Sequence, residues 1–323
     1  MILAGDIGGT KADLALFDRQ GDPRRPRHGG RIATREHGSL DSLLDAFFEG
    51  TRDRPQRAVF GIAGPVKHNR CDATNLPWLV DGNALGDRLG IPVTLLNDLA
   101  TTAWGIPALA PGDLEILHPG DPTDATRALI AAGTGLGESI MARSDTGWIA
   151  VPSEGGHCDF APRNALEDEL LHWLRARYAR VSFERVLSGP GLADLYRFMS
   201  DTRRGSEPPE ITRRFAEAPD PAVIVTETAL DGSCERARVT LETFADIYGS
   251  EAGNLALKAL ALGGVYVGGG IAPRILPFLR ERFARGFHDK GRLTPVLQQI
   301  PLAVILDQRT SLWGAAAFAV THP

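Results

Sequence analysis

Cysteine is scarce in this 323-residue chain. The three present, Cys71, Cys158 and Cys234, are odd in number and far apart, which excludes a disulfide framework and a zinc site built from two CxxC pairs. A reducing, cytoplasmic compartment is expected. An excess of positive charge is also missing: 35 Lys and Arg stand against 40 Asp and Glu, a net charge of −5. That balance gives no electrostatic footprint for nucleic acid or an anionic membrane, so the expected partners are small molecules and a second copy of the chain. The one basic cluster, Arg24, Arg25, Arg27, Arg31 and Arg35, lies among Pro and Gly and reads as a solvated hairpin or loop. Long apolar runs are absent. The longest low-charge stretch, Ala259 to Ala272, is too short for a membrane span and too rich in glycine. Met1 leads directly into strand-like Ile2-Leu3-Ala4, without the basic flank and apolar core of a signal peptide, so no export is expected.

Several familiar motifs are missing too. No stretch matches G-x-x-x-x-G-K-[ST]. Neither Gly133-x-Gly135 nor Gly268-x-Gly270 completes G-x-G-x-x-G, because Glu138 and Pro273 stand in the last position. Walker-type ATPases and Rossmann dehydrogenases are therefore disfavoured. Without H-E-x-x-H or G-x-S-x-G, zinc proteases and α/β-hydrolases lose support as well.

What remains is an ordinary globular composition, 43% hydrophobic and 23% charged, in a chain about twice the size of a typical domain, which suggests two lobes around a cleft. Strand-like and helix-like segments alternate, as in an α/β protein. Strands are expected at Met1–Ala4, Ala12–Asp18, Ala58–Ala63, Ile91–Leu96, Val265–Val267 and Leu302–Leu306. Helices are expected at Asp41–Glu49, started by a capping Asp, at Asn83–Leu89, from Asn164 with Glu167 at the capping-box position, at Arg236–Leu262 ending on Gly263-Gly264, and at Ser311–Val320. Pro111–Thr126 and Ser200–Pro209 read as surface connections. A weak internal echo links Leu3–Phe17 with Leu129–Met141, each an apolar strand, a glycine-threonine turn and a second apolar strand, as duplicated lobes would give.

Three glycine turns and a few polar residues carry the chemistry. In Gly5-Asp6-Ile7-Gly8-Gly9-Thr10, glycines let backbone N–H groups approach an anion, forming a nest for phosphate oxygens. Thr10 adds a hydroxyl, and Asp6 can hold phosphate-bound Mg²⁺, commonly through water. A structural hairpin is the alternative. Gly133-Thr134-Gly135 forms a second such turn, and together the two suit a phosphate clamp. Gly268-Gly269, after a strand, allows close approach of a nucleotide's adenosine, or makes a helix entry. Asn97-Asp98 ends a strand and opens a helix, where α/β proteins place catalytic groups. There Asp98 can accept a hydroxyl proton, unless it is simply a helix cap. Glu154, His157 and Glu184 offer carboxylate and imidazole partners for sugar hydroxyls, with a solvated loop as the alternative. Asn75 and Trp78 read as a packed turn.

In order, Gly5–Lys11, Thr74–Trp78, Leu96–Asp98, Gly133–Gly137, Glu154–Pro162, Glu184–Gly191 and Val267–Ala272 resemble the bacterial glucokinases of the actin-like sugar-kinase superfamily over nearly the whole length. The resemblance implies a two-lobed ribonuclease-H-like (actin-like ATPase) α/β fold with an interlobe cleft. Residues 1–108 and about 301–323 would form the small lobe and 109–300 the large one. It further implies ATP with Mg²⁺ on the glycine turns, Asp98 as general base, sugar bound by Asn97, Asp98, Glu154, His157 and Glu184, and a homodimer. Related kinases and repressors carry a cysteine-rich zinc motif after the Glu-x-Gly-His stretch. Here only Cys158 follows, which points to the zinc-free branch. Lys11, where the family often has Asn, reads as solvent-facing. The implied reaction is transfer of the ATP γ-phosphate to the 6-hydroxyl of D-glucose. The alternatives are a kinase for another hexose and a non-catalytic sugar-sensing regulator on the same fold. The latter is disfavoured because the turn at Gly5 leaves no room for an N-terminal helix-turn-helix.

Overall fold

The computed structural model describes residues 1–19, 21–73, 76–145 and 147–322. Thr74 and Asn75 of the turn before Trp78 therefore lie outside the described residues. The chain gathers into two compact units. One comprises Met1–Leu114, Ser144–Pro152 and Asp307–Pro323, and the other Glu115–Arg143 and Ser153–Leu306. Among the described residues no helix is long and apolar enough to cross a membrane.

The first unit is built on a sheet of β1 (Ile2–Ile7), β2 (Ala12–Phe17), β3 (His28–Ile32), β4 (Arg57–Ile62) and, beyond the short strands β5 (Val66–Lys67), β6 (Arg70–Asp72) and β7 (Leu79–Asp81), β8 (Val93–Asn97). Its order is β3-β2-β1-β4-β8. The pairs β1–β2 and β2–β3 are antiparallel, whereas β1, β4 and β8 run parallel. Alternation along the strands assigns two faces. Leu3, Ile7, Leu14, Phe60 and Leu95 join Leu40, Leu43, Leu44 and Phe47 of the helix Leu40–Glu49, with buried Trp78 in the same core. On the opposite face Ile2, Ala4, Ala15 and Val59 meet Leu312, Trp313, Ala315 and Ala316 of the closing helix Thr310–Thr321. Each large side chain so buried contributes about 1.5–3 kcal/mol. Small residues dominate this second face, so the closing helix also lies tight against the helix Asp98–Gly105. A Cβ on Gly314 would stand 1.7 Å from the Thr101 carbonyl oxygen, and one on Gly105 2.1 Å from that of Thr310.

The second unit repeats the pattern with β9 (Leu114–His118), β10 (Arg127–Ala132), β11 (Leu136–Ser144), β13 (Val265–Gly268) and β14 (Leu302–Ile305), β12 (Gly147–Ser153) intervening in sequence. Five strands run in the order β11-β10-β13-β14-β9. A hairpin, β10–β11, is again followed by parallel neighbours, β13 and β14. The hairpin echo in the sequence is thus present in both units. The 25-residue helix Glu235–Ala259 is buried along most of its length and packs with the helices Gly189–Asp201, Pro221–Leu230 and Leu276–His288 around one core.

Several boundaries differ from the sequence expectation for local reasons. The first helix is capped by Ser39, whose side chain accepts the Ser42 N–H; Asp41 is already helical. The long helix stops at Ala259 because Leu260 turns left-handed at φ 45° and its N–H returns to Ala256 and Leu257, three residues before the glycines expected to end it. The stretch Pro111–Thr126 contains strand β9 and is not a simple loop. The basic cluster is largely neutralised within the first unit: Arg24 pairs with Asp113, Arg27 with Asp18 and Arg31 with Asp13, each at 2.7 Å.

Candidate active site

The parallel register of the first unit places the ends of β1, β4 and β8 side by side, with Asp6 opposite Gly61 and Ile62 opposite Asn97. The phosphate-turn residues divide between strand and turn. Gly5 and Ile7 belong to β1. Ile7 is buried in the core, and a Cβ on Gly5 would meet Leu14 and Phe60 at 2.6 Å, so glycine is required there by packing. The turn proper is closed by Gly8 N–H donating to the Lys11 carbonyl at 3.0 Å, with Gly8 and Gly9 half-buried and Thr10 and Lys11 exposed.

Asp6 faces the closing helix. Its Oδ1 accepts from Ser311 Oγ at 2.9 Å, Ser311 Oγ is 2.8 Å from Thr101 Oγ1, and Thr101 also reaches the Asp98 carbonyl at 2.8 Å. Gly61 leaves room for this relay, since a Cβ there would stand 2.4 Å from Thr101 Oγ1. Burial pushes the Asp6 carboxyl up to about 6, with Asp13 adding to the rise and Ser311, Lys11 and Arg31 opposing it. Asn97, not Asp98, caps the following helix: its Oδ1 accepts from Leu99 N–H at 2.9 Å and Ala100 N–H at 3.4 Å, while its Nδ2 donates to the Gly64 carbonyl. Asp98 is the first helical residue, partly buried, and its Oδ1 also accepts from Leu99 N–H, at 2.9 Å.

In the second unit the two glycine turns adjoin. Parallel pairing sets Ala131 opposite Gly268, and Gly269, at φ 83°, lies so close that a Cβ would stand 2.3 Å from the Ala132 carbonyl oxygen. Gly133 N–H closes its own turn on the Gly135 carbonyl at 2.8 Å. The Gly133 carbonyl accepts from Gly189 N–H, the first residue of the Ser188-capped helix. Beyond the turn, Glu184 Oε2 accepts from Leu136 N–H at 3.1 Å. Its Oε1 lies 3.8 Å from His157 Nδ1, and His157 Nε2 lies 4.0 Å from Glu154 Oε2. These separations exceed hydrogen-bond length, so the imidazole and both carboxylates retain capacity for hydroxyl groups of a ligand.

The expected residues therefore fall into two constellations, Asp6, Asn97 and Asp98 in the first unit and Gly133–Gly135, Glu154, His157, Glu184, Gly268 and Gly269 in the second. Sequence alone does not mark Ser311 and Thr101 as part of this arrangement. Their signal, small hydroxyls near the starts of two otherwise apolar helices, acquires meaning only once the fold joins positions 210 residues apart.

The glucokinase family model matches residues 3–322. A glucokinase of Trichormus variabilis is 39% identical over 339 residues, covering 99% of this chain and 98% of that protein. The crystal structure of a glucokinase from an Antarctic psychrotroph superposes with a TM-score of 0.86 at 30% identity, covering 98% of each chain. A ROK family glucokinase from Streptomyces griseus, solved with glucose and AMPPNP, superposes at TM-score 0.64 and 22% identity over 98% of each chain, a likeness that speaks for fold alone. The fold is the two-lobed actin-like ATPase fold. With the hairpin pattern present in both units and the likeness running from end to end, the chain belongs to the glucokinase family.

Proposed function

We propose that the protein transfers the γ-phosphate of ATP to the 6-hydroxyl of D-glucose, giving glucose 6-phosphate and ADP, with Asp98 as the general base. The observation that carries this is the placement of Asp98 at the carboxyl end of a strand parallel to the one bearing Asp6, with Ser311 and Thr101 in contact between Asp6 and the main-chain carbonyl of Asp98. The Asp98 carboxylate takes the hydroxyl proton as the sugar oxygen bonds to the γ-phosphorus. The bond from that phosphorus to the β,γ-bridging oxygen breaks, and ADP leaves. The backbone N–H groups of Gly9, Thr10, Thr134 and Gly135 are the proposed phosphate donors, and Gly268-Gly269 the surface for the adenosine. Asn97, Glu154, His157 and Glu184 are the proposed hydroxyl partners of the sugar. Catalysis is then mainly positioning and electrostatics.

Asp6 fits a hard cation held through water. Burial makes its charge costly, Ser311 occupies one face of the carboxylate, and no basic group stands within 4 Å of it among the described residues. Asp6 would hold Mg²⁺ there, and the ion would supply neutralisation of phosphate charge. A homodimeric, cytoplasmic enzyme feeding glycolysis belongs to the same proposal, and light scattering measures the assembly.

A coupled ADP-release assay across glucose, fructose, mannose and N-acetylated hexosamines tests the function. Glucose is expected to give the highest kcat/KM. Another sugar ranked above it overturns the substrate assignment, and tight sugar binding without ADP release overturns the activity.

A further inference from the structure

Directly behind the Gly133–Gly135 turn, Glu138 on β11 is 1% exposed, and Glu251 in the middle of the helix Glu235–Ala259 is 0% exposed. Buried carboxylates are rare without a compensating charge, yet these two interact with each other in the interior. Two ionised carboxylates offer only acceptors and like charges, so a proton on one relieves the pair. The surroundings supply less charge than the pair would need if fully ionised. Lys258 Nζ lies 3.6 Å from Glu251 Oε1 on a half-exposed side chain. Lys290 gives its protons to Ser250 and Asn254, and Asn254 Nδ2 in turn donates to Glu251 Oε2 at 2.7 Å. Tyr248, which also faces Glu138, has its hydroxyl engaged with the Ala132 N–H and the Ile130 carbonyl. Oε1 of each glutamate has no hydrogen-bond partner among the described residues.

The Glu138 carboxyl is also the floor of the Glu154–His157 loop. A Cβ on Gly155 would stand 1.9 Å from Glu138 Oε2 and 2.7 Å from its Cδ, and one on Gly156 would stand 2.1 Å from the Leu136 carbonyl oxygen. The loop backbone thus rests on β11 from Leu136 to Glu138, with the carboxyl under Gly155, a residue flanked in sequence by Glu154 and, two positions on, His157.

We propose that Glu138 is a positioning residue for the sugar loop, sharing one proton with Glu251 so that a carboxyl pair of single charge seats Gly155 and keeps Glu154 and His157 in place. This rests on the reading of Glu154 and His157 as sugar ligands. Burial first, then the neighbouring Glu251, push the Glu138 carboxyl up to about 8, and burial raises that of Glu251 as well. Loss of the shared proton above that pH sets two charges against each other beneath Gly155 and displaces the loop. The effect falls on sugar binding, while turnover at saturating sugar changes less.

The test is the pH dependence of the glucose KM and kcat from pH 6.5 to 9, at saturating ATP and Mg²⁺, for the unmodified enzyme, Glu138→Gln, Glu251→Gln and His157→Ala. If only the protonated pair binds sugar, one group titrating near 8 raises KM about tenfold between pH 7 and 9. Either amide replaces the shared proton with a permanent N–H donor, so both glutamine variants are expected to hold KM within about twofold over that range. Use of both keeps the test decisive should one fail to fold. Glutamine variants whose KM curves superimpose on the unmodified one, while His157→Ala raises KM, overturn the positioning role alone. A His157→Ala enzyme with an unchanged glucose KM overturns the loop assignment and the proposal with it.

Discussion

Substituting Gly314 by alanine adds one methyl group at the contact between the helices that carry Ser311 and Asp98. The new Cβ would lie 1.7 Å from the Thr101 carbonyl oxygen and 2.6 Å from the Gly105 nitrogen. Both neighbours are helix backbone, which cannot rotate away as a side chain would. The helices must part by about 1.5 Å to restore ordinary van der Waals contact. Alanine is the better helix former by about 1 kcal/mol, while overpacking costs about 1–3 kcal/mol and more where backbone must move. The clash wins, with a net loss of about 2 kcal/mol and a fall of about 4–8 °C in the Tm of the first unit. Because the Asp98 helix is one of the displaced elements, kcat should fall as well, by about 10²-fold for a misplacement near 1 Å. Differential scanning calorimetry and the ADP-release assay read the two effects. Gly38→Ala, at a position with open space around it, is the control expected to change neither. A Gly314→Ala enzyme with unshifted Tm and full kcat would refute the claim that this helix contact positions Asp98.

Asp6→Asn is expected to abolish turnover while raising the Tm at pH 7. The folded-state value near 6 exceeds the ordinary 3.8, so the stability linked to the Asp6 proton is complete below the unfolded value and is lost as pH rises through 6, a cost of up to about 3 kcal/mol that the neutral amide escapes. The Tm gain should therefore shrink on acidification to pH 4, and a variant that melts lower than the unmodified enzyme at pH 7 counts against a half-buried, charge-strained Asp6. Glu184→Ala removes the acceptor of the Leu136 N–H beside the Gly133–Gly135 turn as well as a hydroxyl partner. It should raise the KM of ATP and of glucose together, whereas Glu184→Gln, which keeps an acceptor, should spare ATP; an ATP KM unmoved by alanine would separate Glu184 from the turn.

Local signals were the legible ones. The Asn164 cap and its partner Glu167 stand where the spacing puts them, with Asn164 Oδ1 accepting the Glu167 N–H at 3.1 Å. The two glycine-threonine hairpins and the strand ending at Asn97 are likewise where turn chemistry and apolar runs suggest. What sequence does not reveal is the purpose of a residue once distant segments meet. Gly5 reads as a turn glycine but is held to that identity by Leu14 and Phe60. Ser311 reads as the opening of a helix, yet it is the hydrogen-bond donor to Asp6, 305 positions away. Glu138 reads as the residue that spoils a dinucleotide motif, and only burial against Glu251 and Gly155 gives it a role to test. Capping and turn formation depend on a few neighbouring residues, whereas these three depend on sheet register and on which helix closes which face.

Asp98→Asn tests the central claim most directly. The amide keeps the size of the side chain and an oxygen to accept the Leu99 N–H, so the fold and glucose binding, followed by calorimetry, should be retained. Loss of the proton acceptor should lower kcat in the ADP-release assay by about 10²–10⁴-fold. A folded, glucose-binding Asp98→Asn enzyme with undiminished kcat would contradict Asp98 as the general base.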